Sequence, residues 1–154
     1  MPLKTKIPIG INIIIAFFIL NAILWTVGQG GAVIAYDRVA GWGFQDPREA
    51  LDPAIVEVNR GIGLTDMIIQ IPLYLIAAVG LLQLRFYGAV AAWLVLGTTL
   101  YWPVVFWSSQ YFYGTEGIKH NETTMSTHVI LIVILLFALW AIIYLYRNRQ
   151  LFTR

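Results

Sequence analysis

Of 154 residues, 59% are apolar and only 12% are charged, with a mean hydropathy of +0.74; this excludes an ordinary soluble composition and indicates one integral membrane domain over residues 1–154. With no cysteine, the chain cannot carry a disulfide framework, a thiolate nucleophile or a Cys-based zinc or iron–sulfur site. A formal charge of +2, carried by dispersed basic residues, offers no footprint for nucleic acid and reads instead as an orientation signal.

The first predicted helix runs from about Ile9 to Tyr36. Its 22-residue stretch from Ile13 to Ile34 has no ionisable side chain, enough to cross a hydrocarbon core that needs about 20 residues. That stretch is longer than the core of a cleavable signal. The Gly28-Gln29-Gly30-Gly31 run reads either as a loosened outer end or as a site of close helix packing. From Asp37 to about Gly63 the chain is expected to form an amphipathic, partly helical outer loop that lies on the membrane face or lids the bundle. Asp46-Pro47 and Asp52-Pro53 look like two helix starts, each an N-cap acid before a proline, and Trp42, Phe44, Ile55, Val56 and Val58 supply the apolar side.

Helix two is expected from about Leu64 to Leu84, helix three from Tyr87 to Trp107 and helix four from Thr127 to Tyr146. A tight turn at Arg85 and a loop from Ser108 to Ser126 join them. The fold class is therefore all-α, a four-helix transmembrane bundle with antiparallel neighbours. Lys4, Lys6, Arg85, Arg147, Arg149 and Arg154 share one side without an acid, while all eight carboxylates fall on the other. By the positive-inside rule both termini are expected in the cytoplasm. Trp25, Trp42, Trp102, Trp107, Tyr111 and Tyr113 crowd the outer third, as an interfacial belt or as the wall of a pocket.

Asp66, Gln70 and Tyr74 recur at i, i+4 and i+8 and share one face of helix two, with Asn59 and Gly63 extending that line outward. Lipid offers these groups no hydrogen-bond partner, so the stripe is expected to face the bundle interior or a cavity. Pro72 interrupts the same helix and frees a carbonyl near Ile68. Asp66 has two readings, a charge inside a cavity or a cap on the first turn of helix two at the interface. Asn21, Trp25 and Gln29 on helix one, with Thr98, Trp102 and Ser109 along a face of helix three, could converge on the stripe as an aromatic-walled ligand pocket. The same polar groups could also simply hydrogen-bond between helices. His128 could pair with Asp66 or Asp52, or sit satisfied at the interface. His120 and His128 cannot flank one iron, so neither a haem nor a metal nor any other cofactor is expected. Asn121-Glu122-Thr123 is a glycosylation sequon in an outer loop.

The segment Asp66-Met67-Ile68-Ile69-Gln70-Ile71-Pro72 resembles the second-helix signature of the EXPERA superfamily, which includes the sigma-2 receptor and emopamil-binding protein. The four-helix layout, cytoplasmic termini and long first outer loop, with Asp52-Pro53, Thr98-Thr99-Leu100 and Pro103, are similar to that family as well, and Leu84-Arg85-Phe86 and Ala138-Leu139-Trp140 resemble its sterol-isomerase branch. The resemblance implies a cavity for sterol-like or cationic amphiphilic molecules with Asp66 inside it. The isomerase branch places a second carboxylate on helix three, where this chain has Gly97, Thr98 and Thr99; binding without turnover therefore fits better than isomerisation.

The expected function is binding of a small hydrophobic or amphiphilic, sterol- or lipid-like molecule in an intramembrane pocket, with the bilayer as the other partner. Asp66 would supply charge, Gln70 and Tyr74 orientation. Two alternatives stand beside it. One is an accessory subunit, in a homo-oligomer or a larger membrane complex, associating through Gly80, Gly88, Ala89, Ala91 and Ala92. The other is an isomerase-type enzyme using Asp66 with His128 or Asp52.

Overall fold

A computed structural model describes residues 6–152. It contains four long helices, Ile9–Gly41, Pro53–Leu82, Phe86–Thr115 and Met125–Arg147, each long and apolar enough to cross a bilayer. They are called helices one to four below. Short 3-10 turns at Arg48–Ala50 and Arg149–Leu151 complete the secondary structure. Lys4 and Arg154, two of the six residues on the basic side, lie outside the described residues.

Helices one, two and three form the main core, built from Ile11, Ile14, Phe18, Tyr74, Ala77, Leu81, Ala92, Val95 and Leu96; helix four adds Ala138, Ala141 and Leu145. The start of helix one meets the end of helix four, where Gly10 packs against the Tyr144 ring, so both ends of the bundle's chain lie on one side. Helix two ends at Leu82, and Leu84 just beyond it, with a φ of 51°, takes the left-handed conformation that reverses the chain. Arg85 N–H then closes the helix end by donating to Gly80 O at 2.9 Å. Directly at this turn Gly80 and Gly88 touch backbone to backbone. Gly80, Gly88, Ala89, Ala91 and Ala92 are buried, so these five residues serve the contact between helices two and three.

The expected amphipathic outer loop is corrected. Helix one continues to Gly41, and the connection shrinks to residues 42–52. Helix two begins at Pro53 instead of Leu64, and its outer half stands upright against the end of helix one. Leu51, Ile55 and Val56 pack there with Ala32, Tyr36 and Val39 in a second small core. Of the two expected helix starts, Asp52 caps helix two, its carboxylate accepting from Ala54 N–H at 2.8 Å with Pro53 in the first turn. Asp46 does not cap; Pro47 occupies that place before Arg48–Ala50, and the Asp46 carboxylate accepts from Asn121 Nδ2 at 2.7 Å. That same nitrogen is the one to which a glycan at the sequon would be attached. Helix three outruns its expected end by a further two turns, to Thr115, where Gly117 at φ 65° stops it.

Two π-helical turns interrupt the spans, Thr26–Gly30 in helix one and Asp66–Gln70 in helix two. The second has an evident cause. Pro72 has no N–H and its ring crowds the carbonyl four residues back, and the widened turn accommodates both, with Ile71 N–H reaching back to Asp66 O. The two turns face one another: a Cβ on Gly63 would lie 2.6 Å from Gln29 O, and one on Gly30 would lie 3.4 Å from Met67 Sδ. The glycine run therefore serves close packing within helix one, ahead of the bend at Ala35, and is not a loosened end.

Candidate functional site: a buried polar column beneath an aromatic cleft

Helix two directs Asp66, Gln70 and Tyr74 inward, and all three are buried. From the inside outward, Tyr74 hydroxyl lies 3.2 Å from Thr99 Oγ1, which itself donates to Val95 O at 2.8 Å. One turn further out, Gln70 Nε2 donates to Thr98 Oγ1 at 2.7 Å. Both threonines also lie 2.8 Å from the Val95 carbonyl, whose two lone pairs can serve both. The lower part of the stripe is thus a satisfied inter-helix network.

Asp66 is different. It is 5% exposed, has no ion pair, and its Oδ2 is buried without a hydrogen-bond partner. The reading of Asp66 as a helix cap is corrected: Asp52 fills that role, and Asp66 sits mid-helix in the π turn. Burying an unpartnered polar atom costs about 1–3 kcal/mol, and native interiors tolerate few such atoms.

Above Asp66 the outer ends of helices one, two and three and the connecting loop enclose a cleft of about 340 Å³, lined by Gln29, Phe44, Gln45, Asp46, Asn59, Ile62, Trp102 and Phe106. Asn59 and Ile62 precede Asp66 by seven and four residues, so all three lie on one face; Asp66 does not itself line the cleft and follows its lining residue Ile62 by about one helical turn. Gln45 Nε2 reaches Gly28 O at 3.4 Å, and the Phe44 ring lies against Gly28, so the loop roofs this space. Trp25 and Trp102 face each other with ring centroids 6.4 Å apart between helices one and three.

Of the residues singled out from sequence, Gln29 and Trp102 reach the cleft, Trp25 abuts Trp102, and Asp66, Gln70, Tyr74 and Thr98 form the column beneath. Asn21 is not brought in: its Nδ2 donates to Phe17 O on its own helix at 2.8 Å. Asp52 lines a separate cleft with Tyr113 and Ile118. His128 faces neither Asp66 nor Asp52; its Nδ1 accepts from Trp107 Nε1 at 3.0 Å, which makes it a satisfied histidine between helices three and four. The aromatic residues divide the same way. Trp25 and Trp102 turn inward, whereas Trp42 and Tyr111 are 62% and 67% exposed as an interfacial belt requires. Gln45, Asp46 and Phe106 were not foreseen. Gly43, at φ 80°, turns the loop over the cleft, and a glycine before an aromatic and two polar residues was the only trace of that turn in the sequence. No group of three His, Asp or Glu among the described residues could hold a metal ion.

Architecture and site together define a four-span integral membrane protein with a polar column under a roofed cleft at its acidic end. No protein-family model matches the chain, and no match was found among curated proteins or solved structures.

Proposed function

We propose that this protein binds a small hydrophobic or amphiphilic molecule bearing a cationic or hydroxyl group, with its apolar body in the aromatic cleft and its polar group directed to Asp66. The observation that carries this reading is the unpartnered, buried carboxyl oxygen of Asp66, which follows Ile62 in the lining of a roofed cleft by about one helical turn. A carboxyl group held without a partner inside a span is expensive and marks a functional position; an incoming N–H or O–H donor would supply the missing bond. The outer side carries eight acids against Arg38, Arg48, Arg60 and Lys119, a balance that favours cations. Trp102, Phe106 and Ile62 supply apolar surface worth about 25 cal/mol per Å² buried. The resemblance to the EXPERA signature around Asp66 points to the same ligand class. By the positive-inside rule, we further place both termini in the cytoplasm and the cleft on the opposite face.

The isomerase alternative needs a second proton carrier, and its two candidates are engaged elsewhere, His128 with Trp107 and Asp52 with Ala54 N–H. The subunit alternative keeps one observation. Helix four buries only Ala138, Ala141 and Leu145, while Val129, Ile130, Val133, Leu136 and Ile143 are exposed, a face that lipid or another span would cover.

Native mass spectrometry of the full chain from mild detergent tests the two readings. Co-purifying small molecule or lipid, lost in Asp66→Asn with folding retained, supports the cleft. An unchanged ligand complement in Asp66→Asn removes Asp66 from the site, and a co-purifying protein favours the subunit.

A further inference from the structure

On the acidic side of the bundle, three of the four Lys/Arg gather at one place. A second cleft of about 350 Å³, separate from the aromatic one, is lined by Arg38, Arg48, Arg60, Val33, Ile34 and Tyr36, with Asp37 as its one acid. It opens where helix one bends: Ala35, at φ −149° and ψ 59°, leaves helical conformation. Arg60 reaches across from helix two, donating to Glu57 at 2.8 Å and to Val33 O at 3.4 Å, while its Nε is buried with no partner. Arg48 lies over the Tyr36 ring, 4.6 Å from its centroid, and pairs with Asp37 at 2.7 Å. Arg38 is exposed and, among the described residues, has no ion pair.

The height of this cleft is informative. At 1.5 Å per residue, Val33 to Tyr36 lie about 40–45 Å along helix one from Lys6, and Arg60 lies about 38 Å along helix two from Arg85. The first distance equals the thickness of a bilayer including its headgroups, about 40–45 Å, and the second falls a few Å short of it while exceeding the hydrocarbon core of about 30 Å. If Lys6 and Arg85 mark one headgroup layer, the cleft lies in the other. Ile34, 79% exposed, adds an apolar side chain to the cleft's edge.

We propose that the cleft at the bend of helix one binds the phosphate group of a phospholipid in the leaflet on the acidic side. Guanidinium groups are suited to phosphate because their planar N–H donors match its oxygens, and the cleft offers donors in excess of its acceptors. The site is independent of the aromatic cleft and of any role for Asp66.

Thermal unfolding of the detergent-solubilised full chain tests this with three probes: dihexanoyl-phosphatidylglycerol, dihexanoylglycerol, which has the same chains without phosphate, and inorganic phosphate. Dihexanoyl-phosphatidylglycerol is expected to raise the midpoint saturably, and dihexanoylglycerol to leave it unchanged. Arg38→Gln, at an exposed and unpaired position, should weaken the phospholipid effect about tenfold, the equivalent of one charge-assisted hydrogen bond, without changing the midpoint in its absence. Arg60→Gln should weaken it similarly, and if that variant fails to fold, Arg38→Gln still decides. Equal affinity in Arg38→Gln, or an equal shift with dihexanoylglycerol, overturns the site. A shift with inorganic phosphate and none with the phospholipid overturns the lipid as its occupant.

Discussion

Replacing Asp66 with leucine should make the protein more stable. Leucine has the same branching at Cγ and the same number of side-chain atoms, so it fills the space of the carboxyl with little repacking. It removes the buried, unpartnered Oδ2, a penalty of about 1–3 kcal/mol, and no ion pair or side-chain hydrogen bond is lost with it. For a chain of this size 1 kcal/mol moves the midpoint by about 2–4 °C, so the gain is roughly 2–12 °C. The fluorescence of the six tryptophans reports unfolding in detergent directly. Gln70→Leu, one turn inward at equal burial, is the matched control and should lose about 1 kcal/mol with its bond to Thr98. Opposite signs on adjacent turns would mean that the fold keeps Gln70 for itself and Asp66 for something else. If Asp66→Leu loses as much stability as Gln70→Leu, the carboxyl has a structural partner and the argument from its orphaned oxygen is wrong.

Tyr74→Phe should destabilise by about 0.5–1.5 kcal/mol through loss of the hydroxyl contact to Thr99, and a double-mutant cycle with Thr99→Val should return a coupling energy of that order. Gly88→Val places a side chain into the backbone of Gly80 and Leu81, neither of which can yield without parting helices two and three; we expect a loss of about 3 kcal/mol or more, read as a collapse in folded yield while Gly97→Ala, with open space around it, is tolerated. Because the chain has no cysteine, single cysteines at Glu122 and Asn148 report topology cleanly: a membrane-impermeant maleimide applied to intact cells should label the first and not the second, and the reverse would invert the proposed orientation.

The hydrophobic runs and the placement of charge made the number of helices and their antiparallel order readable in the sequence. Helix boundaries were harder, for a definite reason. Polar residues after Tyr36 and before Leu64 were read as a loop because a span needs only about 20 residues, yet Pro53–Leu82 is 30 residues long. Its outer half pairs with the outer end of helix one through Ala32, Tyr36, Ile55 and Val56, a tertiary contact that hydropathy does not record. Likewise Ser108, Ser109 and Gln110 resembled a loop, but Tyr113 remains in helix three to accept from Ile118 N–H at its end. The i, i+4 spacing of Asp66, Gln70 and Tyr74 correctly placed them on one buried face. What spacing could not separate was that Gln70 and Tyr74 find threonine partners on helix three while Asp66 does not, since that depends on the register between two helices.

That register is set by the π turns. An α-helix advances about 100° per residue, and a widened turn shifts everything beyond it relative to the residues before. In helix two the shift falls between the network of Gln70 and Tyr74 and the cleft-lining pair Asn59 and Ile62, and Asp66 opens the turn itself. The inner half of the helix can therefore keep its tight packing with helix three, held at Gly80 and Gly88, while the outer half turns to meet helix one at Gly63 and Gln29. Helix one carries its own π turn at the same level, and the two accommodate each other. Asp66 lies at the junction, where neither packing arrangement supplies it with a donor. Its oxygen is left unpaired by the geometry of the span as a whole, with Pro72 as the residue that imposes the break, and π turns of this kind recur at functional sites in helices.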